Sequence, residues 1–233
     1  MVSTVRCRAS SGGPCFLWGR KMVALQKTIV YIDGFNLYYG QLKGTPHKWL
    51  DPIKLFQQVL GPHNNIVEIK YFTARVKPTL TDPNVHIRQD AYFRAVQAIC
   101  PQVTFHFGHF LRHKVRMENA SKPPATWEVW KTEEKGSDVN LVVHLLNDAW
   151  QDSYECAVIV SNDSDLTESM RLVKHHHPLK KLGLITPGAQ TRNTSSQLAA
   201  HADFRRTIRD PALAASQLPS PIPSTTITKP VTW

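Results

Sequence analysis

The sequence predicts an α/β fold, a mostly parallel sheet flanked by helices, from three observations. Short β-branched apolar runs alternate with longer segments of helical periodicity. One run, Cys156-Ala157-Val158-Ile159-Val160, is apolar at every position, as a strand covered on both faces must be. The runs are separated by Asp-Gly, Asp-Pro and Pro-Gly punctuation at strand and helix ends.

The elements follow in order. Thr28-Ile29-Val30-Tyr31-Ile32 ends at Asp33-Gly34, a strand running into a turn. Asp51-Pro52 supplies a cap and a proline for the first helical position, starting a helix to about Leu60. Val67 to Val76 reads as a second strand. Asp82-Pro83 opens a helix with Ile87, Ala91, Val96 and Ile99 among its apolar positions. Val103 to Phe107 is strand-like, and Thr126 to Lys131 alternates as a hairpin arm would. Val139, Val142, Val143, Leu146, Ala149 and Trp150 then recur at helical spacing and predict a buried stripe. After the strand at 156–160 come a helix at 165–176, a strand at Leu182 to Ile185, a short helix near Ser195 to His201 and a strand from Phe204 to Ile208. From Pro211 the chain is rich in Pro, Ser and Thr and reads as an extended tail. One domain is therefore expected over 22–210, with an irregular leader at 1–21 and an extension at 211–233.

Composition narrows the class. With 42% hydrophobic and 20% charged residues the chain is an ordinary globular protein, neither collagen-like nor largely disordered. No apolar run approaches the roughly 18 residues of a membrane span. The formal charge of +10 would suit a polyanion. Part of it, however, sits on Arg6, Arg8, Arg20 and Lys21 in an acid-free leader, so the body is only mildly basic. The leader lacks a secretory apolar core. Its composition permits a transit peptide, and its position before Met22 fits a dispensable leader better. Cys7, Cys15, Cys100 and Cys156 form neither a C-x-x-C pair nor a disulfide framework, which fits a reducing, cytoplasmic setting.

Acids mark the ends of strands. Asp33 closes the first, and Asp163 and Asp165 follow the strand 156–160 through Ser161-Asn162. In a parallel sheet the carboxyl ends of strands face one crevice, where ligands bind. Asp138, just after Gly136-Ser137, projects from the first turn of its helix toward the same edge. Each acid has a local explanation as well. Asp165-Leu166-Thr167-Glu168 fits a capping box that would leave Asp163 without a capping task, Asp138 suits a helix dipole, and Asp33 precedes a turn glycine. Gathered together, four carboxylates would raise one another's pKa, and a hard divalent cation, Mg²⁺ or Mn²⁺, would relieve the conflict.

The strings YIDGFNLYYG, EKGSDVNLVVHLLNDA and AVIVSNDSDL, in this order, resemble the NYN domain, a branch of the PIN-like metal-dependent nucleases, over roughly 27–208. The resemblance implies a PIN-like three-layer fold, an acidic Mg²⁺ or Mn²⁺ centre and metal-dependent endoribonuclease activity. Asp33, Asp138, Asp163 and Asp165 match its acidic positions, Asn36 the Asn of DGxN, and Ser161 the Ser before the DSD. The chain departs at His144, where many relatives carry another aspartate, and at Asn162, where many carry glycine. The segment from Ser216 to Trp233 resembles the C-terminal extension of a bacterial, DUF88-type subgroup, which would dock on the domain.

On this reading Asp33 and Asp163 hold metal directly, Asp138 and Asp165 complete the shell or orient the attacking water, and Asn36 fixes a carboxylate or substrate oxygen. Lys135, Arg75, Arg192 and Ser161 are substrate-binding candidates, with Lys77 and the cluster Arg112 to Arg116 behind them. Tyr38, Tyr39 and Trp49 suit either base stacking or a core covering the sheet. His175-His176-His177 fits an exposed helix end, and His106, His109 and His113 lack a companion at zinc spacing. The expected partner is RNA; exposed strand edges and basic faces would serve RNA or a second copy of the chain. A non-catalytic RNA-binding or regulatory module, and a phosphatase of small phosphoesters, are the competing readings.

Overall fold

The computed structural model describes residues 25–188 and 193–232; the leader expected at 1–21 and Arg192 lie outside them. A seven-stranded sheet runs β4-β3-β2-β1-β5-β6-β7, from β1 (Gln26–Asp33), β2 (Asn64–Ala74), β3 (Val103–Glu118), β4 (Thr126–Lys135), β5 (Cys156–Val160), β6 (Lys181–Ile185) and β7 (Phe204–Arg206). All neighbours are parallel except β3 and β4. The chain leaves β1 to build β2 and β3 on one side, then returns to lay β5, β6 and β7 on the other. The strand order thus reverses beside β1, which opens a crevice between the carboxyl ends of β1 and β5.

Helices cover both faces, giving three layers. On one side α2 (Pro52–Leu60), α3 (Val85–Ile99) and α7 (Asp210–Ala215) bury Leu55, Phe56, Phe93, Val96 and Leu213 against Val30, Ile32, Ile69 and Val158. On the other, α4 (Ser137–Trp150), α5 (Thr167–His176) and α6 (Ser196–His201) bury Leu141, Leu145, Met170, Val173 and Leu198 against Tyr31, Phe72, Ile159 and Leu184. β5 lies between the two layers and is buried at all five positions, as its unbroken apolar run requires. The C-terminal extension docks rather than dangles. Leu50 bridges to Gln217, the Trp49 indole N–H donates to the Pro219 carbonyl (3.1 Å), and Leu218 and Ile222 enter the core.

Two expectations are corrected. The apolar stripe read onto α4 is half turned outward: Val139, Val143 and Trp150 are more than half exposed, Ala149 is buried with Val142 and Leu146 packed beside it, and the centre of the buried face is Leu141, Leu145 and Asp148. The reason is a polar anchor. The Asp148 carboxylate accepts from the Tyr31 hydroxyl (2.6 Å) and from Lys70 Nζ (2.7 Å), fixing the rotation of α4 from beneath. The strand read as Val103 to Phe107 continues to Glu118 and pairs along its whole outer half with β4, so residues 109–135 form a two-stranded ribbon standing beyond the parallel sheet.

Under α4, His106 stacks on Phe72 (4.9 Å between centroids) and lies 4.1 Å from the ring of His144. Burial pushes the His106 pKa down to about 4, with the neighbouring His144 and Lys70 acting in the same direction and Asp148 opposing them. The folded state therefore holds this ring neutral, and its contribution to stability is full above about pH 6.5 and lost as pH falls toward 4. His106→Gln is expected to flatten the pH dependence of the urea midpoint between pH 6.5 and 4; a wild-type slope in that variant would contradict the assignment.

Candidate functional site

The crevice beside β1 gathers the strand-end acids. Asp33 is the last residue of β1 and the cap of the short helix α1 (Gly34–Leu37), which continues into a π-helical turn, Tyr38–Leu42. Its Oδ1 accepts the Asn36 backbone N–H (2.9 Å), and its Oδ2 accepts both the Asn36 side-chain amide (2.6 Å) and the Ser161 hydroxyl (2.8 Å). Gly34 is needed here because α1 presses against β2: a Cβ at this position would lie 2.8 Å from the Phe72 carbonyl oxygen.

Ser161 couples the two strand ends. While donating to Asp33 it accepts the Asp163 backbone N–H (3.0 Å), and Asn36 Oδ1 accepts the Asn162 N–H (3.3 Å). Ser161 is fully buried with both hydrogen-bonding directions used, so it positions carboxylates rather than reaching a substrate. The expected division of labour between the next two acids is reversed. Asp163, not Asp165, is the cap: its Oδ1 accepts the Asp165 N–H (3.0 Å) at the start of the 3₁₀ turn Ser164–Leu166 that leads into α5. Asp165 is left without a capping role. Asn162 ties the site to the chain before α6, accepting from the Ser195 N–H (2.8 Å) and donating to the Asn193 carbonyl (3.1 Å).

Asp138 joins through α4. Gly136, at φ +99°, turns the chain from β4 into the helix, a conformation open chiefly to glycine. Burial raises the Asp138 pKa to about 6, and the charges of Asp33, Asp163, Glu134 and Asp165 add to the rise. Asp33 is raised as well, chiefly by burial, against the lowering effect of its three hydrogen bonds. The four predicted aspartates thus share one electrostatic environment, and Glu134 belongs to it too. Glu134 accepts from the Ser137 N–H (3.1 Å) and hydroxyl (2.6 Å) at the head of α4. Pairing with β3 extends β4 from Lys131 to Lys135 and so brings Glu134 to the head of α4, which the sequence alternation, ending at 131, does not show.

Among the described residues no lysine or arginine pairs with any of the four aspartates, and no three Asp, Glu, His or Cys side chains stand at direct ligating distance of one another. A donor set composed only of oxygen, loosely gathered and short of positive charge, fits a hard cation that keeps several of its waters. Two basic candidates are engaged elsewhere. Arg75 pairs with Asp90 (3.0 Å) and lies over the Phe107 ring, and Lys135 pairs with Glu133 (3.2 Å) on the ribbon face opposite Glu134.

A profile of the NYN domain matches residues 27–208. The chain belongs to the NYN-domain family. Its sheet and layers are those of the PIN-like fold, and the crystal structure of a protein of unknown function from Vibrio parahaemolyticus superposes with a TM-score of 0.51 at 16% identity, over 79% of this chain and 94% of that one. A second relative complicates the chemistry. The protein named 6-hydroxy-3-succinoylpyridine 3-monooxygenase HspA of Pseudomonas putida is 32% identical over 235 residues, covering 89% of this chain and 75% of its own length. Among the described residues of this NYN domain no helix is long and apolar enough to cross a membrane.

Two features flank the NYN centre. The ribbon places Phe110, Arg112, Lys114 and Arg116 on one face with Glu134, Trp130 and Glu128, because cross-strand partners share a face. Arg112 lies 4.6 Å from the Trp130 ring centre and Lys114 5.6 Å from it, while Phe110 packs edge-on against Phe35 of α1. On the other flank, Tyr39 is 55% exposed and Tyr38 partly buried, whereas Trp49 is core. The histidines His106, His109 and His113 do not converge: the first faces α4 and the other two lie on the ribbon's opposite face.

Proposed function

We propose that this NYN domain is a metal-dependent endoribonuclease whose centre is Asp33, Asp138, Asp163 and Asp165. What supports the reading is that Asp33, Asp163 and Asp165 beside the β1–β5 switch point and Asp138 at the head of α4 act on one another's charge without a cationic partner among the described residues. Asp33, held by Asn36 and Ser161, and Asp163 would bind Mg²⁺ or Mn²⁺, with Asp138 and Asp165 completing the shell directly or through water. When bound, such an ion supplies an acidified water and charge balance at the leaving oxygen. Asp138, whose pKa burial and the neighbouring carboxylates raise in the absence of a bound cation, would complete the shell or orient the attacking water. Asn36 holds Asp33 rigid, so that the carboxylate need not reorganise during the reaction.

RNA would reach this centre along the ribbon. Arg112 and Arg116 make no ion pair with a described residue, and Trp130 offers a stacking face between cations that continues to Phe110 beside α1. Single-stranded RNA is expected to be cut with Mn²⁺ or Mg²⁺ and left intact in EDTA. Arg112→Ala/Arg116→Ala is expected to lower the salt slope of RNA binding by about 1.4, at about 0.7 for each phosphate no longer neutralised. An unchanged slope would remove the ribbon from the interface.

The monooxygenase relative favours a second reading, oxygenation of a small heteroaromatic compound at the same crevice. The donor set, all oxygen, suits Mg²⁺ or Mn²⁺ better than the nitrogen-containing sets common for iron. Oxygen uptake with a reductant and 6-hydroxy-3-succinoylpyridine, with no RNA cleavage by the same preparation, would establish this second reading and end the first.

A further inference from the structure

Beside Asp33 a cavity of about 390 Å³ opens between α1, the π-helical turn and α3. That volume lies within the range of small-molecule sites. Phe35, Tyr38 and Tyr39 form one wall, Tyr92 and Phe93 the other, and Gly34 brings the cavity against the Asp33 backbone. Lys43, Lys48 and Arg88 also line it against one acid, Asp82, which already pairs with Arg88. The second observation is Tyr71. It is 6% exposed and lines the cavity, yet its hydroxyl makes no hydrogen bond to any described residue. The hydroxyl is open to the cavity and not enclosed by protein, so it is free to donate to a ligand acceptor there. Burial, and then the charge of Asp33, keep this phenol in its protonated, donating form.

We infer that the cavity binds one planar heteroaromatic ring carrying an anionic substituent, packed between Tyr38 and Tyr39, whose rings stand at 82° to each other, on the face of one and the edge of the other, with the Tyr71 hydroxyl donating to a ring heteroatom or carbonyl and Lys43 and Lys48 facing the anion. With its anionic substituent on the lysines, the ring would turn its opposite edge toward Asp33, so for any chemistry after binding the inference rests on the aspartate centre being the reacting site. Two sources share this chemistry: a base of an RNA strand with its phosphate, and a free heteroaromatic acid. The Tyr39 ring, capped by Lys43 Nζ at 4.9 Å, is the exposed edge over which either would enter.

Calorimetric titration of the full chain in Mg²⁺ buffer with 5′-UMP and, separately, nicotinate tests the inference. Wild type is expected to bind at least one probe. Tyr71→Phe, which keeps the ring and removes a hydroxyl that no described residue uses, is expected to weaken binding about 3- to 10-fold. Tyr39→Ala, at an exposed position, is expected to weaken it about fivefold or more. Binding of 5′-UMP alone identifies a nucleotide as the source, and binding of nicotinate alone a free acid. Binding of neither probe, or wild-type affinity in both variants, overturns the inference. RNA cleavage measured on the same wild-type sample separates the two readings. Cleavage without probe binding leaves the nuclease and removes the cavity site; probe binding without cleavage does the reverse.

Discussion

Asp33→Asn is expected to reduce metal-dependent RNA cleavage at least about 100-fold while leaving the fold intact. The substitution removes one charge and sets an amide nitrogen against the Asn36 amide and the Ser161 hydroxyl, both of which donate to Oδ2 in the native site. Losing only a supporting partner of a metal ligand costs about 10–100-fold, and losing the ligand should cost more. Stability should change little. Burial already disfavours the ionised Asp33 carboxyl, so its neutral amide relieves desolvation and like-charge repulsion; this offsets the donor left facing the new NH2, and the variant in EDTA should melt close to wild type. The decisive measurement is the melting temperature with and without Mn²⁺. Wild type should gain about 2.7 kcal/mol of stability at a hundred times the dissociation constant, and Asp33→Asn little. Equal stabilisation of both proteins by Mn²⁺, together with equal cleavage, would move the metal away from Asp33.

Asp148→Ala is expected to be the most destabilising substitution of a polar residue, costing about 3–5 kcal/mol. Asp148 accepts from Tyr31 and Lys70 beneath α4, and the Lys70 side chain is only 10% exposed. Without Asp148 the Lys70 ammonium is left buried, with Glu68 at 3.7 Å as its remaining acidic neighbour. The penalty should come mainly from that orphaned charge and less from the missing hydrogen bond. A double variant, Asp148→Leu with Lys70→Met, should therefore recover most of the loss, because replacing a buried ion pair by apolar groups of similar size is often neutral. Urea unfolding of the two single variants and the double variant checks this. Additive penalties in the double variant would show that the pair does not act as a unit. The same network bears on function, since the rotation it imposes on α4 places Asp138 at the centre and turns Val139 to solvent.

The strands, helix α2 and the strand-end acids are legible in the sequence because their causes are local. A β-branched run ending in Asp-Gly, an Asp-Pro cap and an all-apolar pentamer each state their structure within a few residues. The rotation of α4 is not legible, because that helix is apolar around much of its circumference. Periodicity finds the stripe 139, 142, 143, 146, 149, 150 as readily as one centred on 141, 145, 149, and the choice between them falls to Tyr31 and Lys70, over 70 residues away from Asp148 in sequence. The reversal of Asp163 and Asp165 has a similar origin. A 3₁₀ turn shifts the capping geometry by two positions, and Ser161 is held by Asp33 from another strand. Glu134 escapes a local reading because the alternation of β4 is clear only to Lys131, and pairing with β3 extends the strand to Lys135.

By itself the chain determined its layers, its parallel strands and which carboxylates close them, since hydrophobic period and turn chemistry act over a handful of residues. Tertiary structure alone decided that Asp33 and Asp163 meet through one serine hydroxyl, that a ribbon carries Arg112, Lys114 and Arg116 on one face with Phe110 and Trp130, and that Tyr71 keeps an unused hydroxyl in an aromatic cavity. Those outcomes depend on strand order and on how helices sit on the sheet, contacts between residues far apart along the polymer that no local pattern encodes.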